Sequence, residues 1–551
     1  MTVSQAPGII ITHGMAVAAR VFSPLKLITM DSHEAAVSAV AAQIEQFYHR
    51  QQPFRIYHGS TNSTRQSQHS AANTISTAHL TRVLEVNRDA KTAVVEPNVP
   101  MDALVHATLP HGLVPLVVME FPGITAGGGF SGTSGESSSF RHGFFDATVN
   151  WIEIVLPNGE VRRASPTTDA DLFWGAASSF GTLGVVTLVE VQCREAKPYV
   201  ELRYLAAPSM DAAMDLFRAE TADPSTEYLD GIVFARDHVV VCAGRLVDTA
   251  SGGTIQRFTR PHDPWFYLQA QRRAPVPKST DSTAPTPVDY IPLEDYLFRY
   301  DRGAFWTGRY AYSYFITPFN RITRYILDYF MHTRVMYHAL HKSGLSDQFI
   351  IQDVAVPYHA TDEFVTWLDN KDTFGAYPIW LCPLNHTRGV MAPSSHAPQS
   401  QSQPTDAAVN SDGNYLMNFG LWAPSRHARN TPGFVAQNRH LEEKVRSLGG
   451  KKWLYAHAYY TESEFWSIYD KPGYDALRAK YHASYLPDLY QKVRVDLRDD
   501  GRGGLRIAGG GKRRTGVLGW VKNMLWGVWP VSGLYGVYRA WRGGEYLLKR
   551  D

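Results

Sequence analysis

The sequence predicts an α+β fold, and three observations carry that prediction. A chain of 551 residues exceeds the roughly 250–300 at which a single hydrophobic core stops growing, so two large domains are expected. Helix-period and strand-period segments are short and intermixed, without the regular strand–helix alternation of a parallel α/β sheet. A hairpin signature, Pro157-Asn158-Gly159 between two strand-like runs, points to antiparallel pairing.

The elements follow in order. Asp31 to Arg50 reads as a helix capped by Asp31 or Ser32, with Ala35, Val37, Val40, Ala41, Ile44 and Phe47 on one face. Strand-like runs cover Arg55 to Tyr57, Leu80 to Val86 and Thr92 to Pro97. Met101 to Leu109 is a short helix ended by Pro110 and Gly112. After a Gly/Ser-rich stretch, Val149 to Leu156 and Glu160 to Arg163 form the hairpin. Asp169 to Ala177 is a short helix and Gly184 to Val191 a strand. Ala274 to Asp289 and Asn385 to Asn414 are rich in Pro, Ser, Thr and Gln and read as surface loops.

Composition narrows the class. Apolar residues at 44% and charged residues at 19% exclude a mostly disordered or fibrous protein. Cys193, Cys242 and Cys382 make neither a disulfide framework nor a C-x-x-C site, which favours a reducing compartment and no metal. A net charge of +2 argues against nucleic-acid binding, but residues 501–551 hold ten Lys/Arg against two acids. The same tail carries Trp520, Trp526, Trp529 and Trp541. Two readings follow for it: an interfacial membrane anchor, or a helix docking its aromatic stripe on the body. The first 30 residues, broken by His13, Arg20, Pro24 and Lys26, read as neither signal peptide nor span.

Gly127-Gly128-Gly129-Phe130-Ser131-Gly132 fits G-x-G-x-x-G formally, yet neither a buried strand before it nor a helix-forming run after it is evident. The dinucleotide Rossmann reading is therefore rejected. Eight glycines and serines in the eleven positions from Gly129 to Ser139 suit an extended wrap around a pyrophosphate, because bare backbone N–H groups can approach the ligand. Phe130, Phe140, Phe144 and Phe145 punctuate the stretch and argue for packing rather than a loose loop.

Glu120 to Val191 resembles the FAD-binding domain of the vanillyl-alcohol-oxidase/p-cresol-methylhydroxylase superfamily, and within it the Δ24-sterol reductases. Gly127-Gly128, Gly132-Thr133, Gly135 to Ser139, His142 to Phe145, Asp171-Leu172-Phe173-Trp174 and Gly181-Thr182-Leu183-Gly184 carry the likeness. So do Tyr290 to Leu293, Ile351 to Pro357, Tyr377 to Pro383, Leu454-Tyr455-Ala456 and Glu464-Phe465-Trp466. The resemblance implies a two-subdomain FAD-binding domain plus an α+β substrate domain. The expected boundaries are an N-terminal segment (1–30), an FAD domain (31–196), a substrate domain (197–455), a return to the FAD domain (456–497) and the tail (498–551). Animal members begin with a spanning helix that this sequence does not show.

The resemblance also implies site residues. His58, Gly59, Ser60, Thr61 and Asn62 would form the first pyrophosphate contact, with Ser60 where covalent relatives place a histidine, so FAD is expected non-covalent. Gly127, Gly128, Gly132, Thr133, Gly135, Ser137 and Ser138 would form the second, and Gly181, Thr182, Gly184 and Val185 a third. FAD would do the redox chemistry, with NADPH as electron source. Reducing an isolated alkene also needs an acid, and Asp353, Tyr377, His457 and Tyr459 are the candidates. The leading expectation is thus a reductase of a sterol or terpenoid side-chain double bond, bound to the endoplasmic reticulum or another intracellular membrane through its tail. An FAD-linked oxidase or dehydrogenase of another hydrophobic metabolite, and a non-catalytic flavin-binding protein, stay open. The sequence leaves the oligomeric state undecided.

Overall fold

A computed structural model describes residues 30–59, 71–276, 286–387, 412–428, 430–499, 505–507 and 528–543. Ser60, Thr61 and Asn62, residues 1–29, much of both predicted loops and most of the tail lie outside the described residues.

Helix α1 runs Met30–His49. Its spaced apolar residues Val37, Val40 and Ile44 are buried against Phe54, Ile75, Val155 and Val185. The expected Ser32 cap is corrected: the helix starts two residues earlier, and the Ser32 hydroxyl accepts from Arg82. His33 bridges Glu96 (2.9 Å) and Glu153 (3.1 Å), tying the helix to the sheet beneath it. A short parallel pair, β1 (Arg55–Tyr57) and β2 (Thr74–Ser76), follows.

Six antiparallel strands then form one sheet: β3 (Val83–Asn87), β4 (Thr92–Val95), β5 (Leu113–Pro115), β6 (Val149–Val155), β7 (Val161–Ala164) and β8 (Val185–Glu195). Their order is β3-β4-β8-β6-β7, with β5 also on β8, and β6 and β7 make the expected hairpin. A second, eight-stranded sheet takes β9 (Tyr199–Ala207), β10 (Tyr228–Ala235), β11 (His238–Val247), β12 (Val288–Pro292), β13 (Phe349–Pro357), β14 (Ile379–Asn385), β15 (Tyr415–Pro424) and β16 (Lys451–Lys452). Their order is β12-β9-β11-β10-β14-β15-β13-β16.

Side chains alternate between faces along a strand. On β13, Ile350, Val354 and Val356 share a core with Phe217, Phe364 and Phe434 from the helices Met210–Ala222, Thr361–Asp369 and Thr431–Ser447. Residues of the other parity, including Ala355, Trp380, Cys382 and Trp422, belong to the core shared with the six-stranded sheet. One face of the large sheet is thus covered by helices, and the other meets the glycine-rich segment.

The glycine-rich segment differs from expectation. Ala126–Gly132 is a short helix, not an extended wrap, and Thr125 caps it by accepting from Gly128 N at 3.1 Å. Glycine is a poor helix former, and packing explains its use here. A Cβ on Gly127 would stand 2.6 Å from Pro97, and one on Gly129 2.5 Å from Met119. The helix lies beside a sheet whose strands are all antiparallel, so it opens no βαβ unit.

Candidate active site between the two sheets

Three backbone segments converge at the end of the glycine helix. Phe180 N donates to Ser131 O (3.2 Å), and a Cβ on Gly181 would lie 2.4 Å from Ile56 of β1. Six residues here hold positive φ: Gly59 (80°), Thr133 (52°), Ser178 (59°), Phe180 (50°), Gly181 (75°) and Gly184 (151°). Three are not glycine and one is β-branched, and such strain clusters where a ligand or close approach maintains it. Gly128 is exposed, and a Cβ on Gly132 would meet nothing closer than Phe180 at 3.8 Å. Bare backbone beside left-handed turns is a cradle that a diphosphate-bearing cofactor fits.

The predicted cofactor residues divide on this geometry. His58, Gly59, Gly128, Gly132, Thr133, Gly181 and Gly184 belong to the converging segments. Gly127 is corrected to a packing glycine against Pro97. The Ser138 hydroxyl donates to Leu116 O (2.8 Å) and that of Thr182 to Ser179 O (2.8 Å), so neither is aimed at a phosphate. Ser137 is buried and its carbonyl accepts from Leu229 N, while Val185 is a buried strand residue opposite Val155. Gly135 faces the large sheet, where its Cβ would be 2.8 Å from Leu384.

Across this contact the large sheet presents rows of side chains fixed by register. Asp353 stands opposite Gly420, which stands opposite Trp380; in the next row Ala355, Asn418 and Cys382 align. Tyr455 donates its hydroxyl to Asp353 Oδ2 (2.5 Å), and Asn418 Nδ2 reaches Oδ1 at 3.4 Å. The Asn418 Oδ1 atom is buried without a partner. Burial pushes the Asp353 carboxyl up to about 6, against the opposing pull of the Tyr455 and Asn418 hydrogen bonds. Beside it, Phe305 stacks on Tyr300 (3.9 Å) and contacts Trp422 (4.3 Å), Trp380 (5.2 Å) and Phe121 (5.6 Å). Asp230 anchors this aromatic group, with one carboxylate oxygen accepting from Arg299 (2.9 Å), Tyr300 (2.8 Å) and the Trp380 indole (3.1 Å). A flat apolar ligand and a buried acid are thus offered one wall.

Glu120 and Glu136 form a second acidic feature between glycine helix and sheet. Both are buried, and Glu120 N donates to Glu136 Oε1 (2.9 Å). Burial raises Glu120 to about 7, and burial plus the neighbouring carboxyl holds Glu136 well above the usual range.

Of the four predicted acids, only Asp353 faces the glycine segment. Tyr377 is corrected: it packs on the helix-covered face and donates to Asp369 (2.8 Å). Tyr459 is corrected likewise, sitting in that core against Phe434 with its backbone N–H on Glu442. His457 offers its carbonyl to Gln352 and Lys452 at the buried Lys452–Glu442 pair. Its ring lies 6.2 Å from that of Tyr459. The residues that sequence reasoning missed are Tyr455, Asn418 and Trp453. Tyr455 stood in a quoted motif, but nothing local marks its pairing with a residue 102 positions earlier.

Comparison with known proteins matches the part of the chain that holds two of the three converging segments. The family model described as an FAD binding domain covers residues 32–165. The Delta(24)-sterol reductase of Homo sapiens is 27% identical over 427 residues, 75% of this chain and 76% of that protein. The chain is thus similar to the Δ24-sterol reductases over about three quarters of its length. The chain also matches the Delta(24)-sterol reductase of Arabidopsis thaliana, 27% identical over 431 residues, 73% of this chain and 72% of the other. Cytokinin dehydrogenase 4 of Oryza sativa subsp. japonica is 30% identical over 131 residues, only 24% of this chain. The match to the human sterol reductase, at 427 residues, therefore extends well beyond residues 32–165, which the FAD binding domain model covers. Among the described residues no helix is long and apolar enough to cross a membrane.

Proposed function

We propose that this FAD-dependent oxidoreductase reduces a side-chain double bond, of the Δ24 type, in a sterol or sterol-like terpenoid, with NADPH as electron donor. The observation that carries the reading is the apposition of the glycine cradle to the wall built from Asp353, Tyr455, Asn418 and the Phe305–Trp380–Trp422 aromatics.

Bound FAD would supply hydride chemistry, held non-covalently by His58, Gly59, Gly128, Gly132, Thr133, Gly181 and Gly184, with Ser60, Thr61 and Asn62 as further proposed contacts. The protein's task is the proton. Hydride addition to one alkene carbon leaves the other needing a proton, and an isolated alkene gives no carbonyl to help. Asp353, raised toward neutrality, holds that proton, Tyr455 orients the carboxyl, and the aromatic wall excludes water. The tail adds attachment to a membrane surface, supported by the outward Leu534, Tyr538 and Trp541 of its helix.

A visible spectrum of the purified protein followed by anaerobic NADPH tests the reading. A flavin band that bleaches and recovers on adding a Δ24-unsaturated sterol supports it. Fast reoxidation by oxygen without a sterol requirement supports an oxidase instead. Colour left in an acid-precipitated pellet would show covalent flavin.

A further inference from the structure

Thirteen large apolar side chains are exposed among the described residues, and ten fall in two segments that touch. The first segment holds Ile316, Ile322, Tyr325, Ile326 and Tyr329, all at least half exposed. Its helix Arg321–Ile326 has no buried residue, although Ile322, Tyr325 and Ile326 share one side at helical spacing. Ile316, 75% exposed, is held at φ +51°, where a β-branched residue is strained. The second segment is the tail helix Val531–Arg542 with the turn before it, exposing Val528, Trp529, Leu534, Tyr538 and Trp541.

The tail helix docks in a way the two sequence readings did not separate. Its buried side is small: Ser532, Gly533, Gly536 and Ala540. A Cβ on Gly536 would stand 2.5 Å from the Ala339 carbonyl of the helix Thr333–Ser343, and one on Gly533 2.4 Å from Tyr314. The Trp529 indole donates to Tyr314 O (2.7 Å), two residues before Ile316. The small residues thus face the body and the aromatic stripe faces out. Tyr312 links the first segment to its helix by donating to Thr323 O (3.2 Å).

We propose that these two segments form one surface that docks, without spanning, on an anionic bilayer leaflet; this extends the tail attachment proposed above to a body element that no tail reading includes. Charge selects the occupant. Residues 303–329 contain Arg309, Arg321 and Arg324 and one carboxylate, Asp328, which is buried and paired with the buried Arg302 (2.7 Å), and residues 528–543 contain Arg539 and Arg542 and no carboxylate. A second copy would oppose like charges across the patch, whereas anionic headgroups complement them while Trp and Tyr settle at headgroup depth. An apolar patch of this kind is seldom left bare on a soluble surface. Docking would place the Thr333–Ser343 helix between the leaflet and Phe121, whose ring is 6.4 Å from Tyr337.

The test is co-sedimentation of the full-length protein with phosphatidylcholine vesicles with and without phosphatidylserine, comparing wild type, I322S/I326S and L534S/Y538S. Flavin absorbance and circular dichroism report folding, and light scattering reports mass. Binding to anionic vesicles is expected to fall about fivefold or more in each variant, since each removes well-exposed apolar area from the contact. If I322S/I326S binds like wild type while L534S/Y538S does not, the tail anchors alone and the composite surface is wrong. If wild type does not bind, both the surface and the tail attachment are wrong. If wild type is a dimer that I322S/I326S converts to monomer without vesicle binding by either, the patch is a self-association face.

Discussion

The indole nitrogen of Trp453 donates to the Thr133 carbonyl over 2.7 Å, and the Trp453 backbone N–H donates to the Asp353 carbonyl over 3.0 Å. Two hydrogen bonds therefore connect the left-handed end of the glycine helix to the strand bearing the proposed acid. Trp453→Phe keeps the ring packing near Phe144 (6.1 Å) and removes only the first bond. It is expected to cost about 1 kcal/mol in denaturant unfolding and to weaken FAD retention on gel filtration, because the Thr133 carbonyl loses its buried donor. Unchanged FAD content and unchanged stability would show that the bond aligns nothing.

Two glycines in the cradle are expected to respond oppositely to alanine. Gly184 holds φ +151°, and its Cβ would stand 2.7 Å from the Val155 carbonyl, so Gly184→Ala strains the first residues of β8. A loss of roughly 2–3 kcal/mol in unfolding free energy is expected. Gly132 has ordinary φ and open space beyond Phe180, so Gly132→Ala should fold normally while its methyl occupies the cradle. Thermal unfolding of the apoproteins and flavin content of the holoproteins separate the two. Full flavin in a folded Gly132→Ala protein would place the cofactor elsewhere.

What the sequence made legible was local. Helix α1, the β6–β7 hairpin and the buried run of β8 carry their own periodicity or turn chemistry, and their bounds moved by only a few residues. The glycine helix was hidden because intrinsic propensity opposes it, and only Pro97, Met119 and Phe145, distant in sequence, require glycine there. Asp353 was reached through resemblance, and its separation from Tyr377 and Tyr459 depended on the sheet face to which each side chain points. That parity is set by register between strands far apart in sequence, where β13 meets β15. Which way the tail's aromatics face stayed open between two readings, because its docking stripe is small residues, Ser532, Gly533, Gly536 and Ala540, with no pattern of their own.

The Glu120–Glu136 pair predicts a stability that declines as pH rises from about 4.3 through 7 and beyond. Both carboxyls titrate higher folded than unfolded, Glu120 near 7 and Glu136 higher still. Above the unfolded carboxylate range, near pH 4.3, the unfolded state has released protons that the fold keeps, so raising pH favours unfolding. Glu136→Gln leaves an amide oxygen for the Glu120 N–H and removes one charge. Its melting temperature is expected to match or trail wild type at pH 5 and to exceed it at pH 8. Parallel profiles for both proteins would refute the shared burial of charge.

The acid assignment makes the sharpest demand on pH. If Asp353 delivers the proton, kcat/KM should fall as pH rises through about 6, the value to which burial lifts its carboxyl. Asp353→Asn should lower kcat/KM by roughly 10²–10⁴-fold and flatten that limb, since the amide neither donates nor titrates in this range. Tyr455→Phe provides the discriminating arm. The Tyr455 hydroxyl bonds the charged carboxylate and so pulls the Asp353 value down; without it, the limb should move to higher pH while maximal activity at low pH changes less. A residue that merely packed there would change activity without moving the limb. A limb that persists in Asp353→Asn, or stays fixed in Tyr455→Phe, would assign the proton to another group.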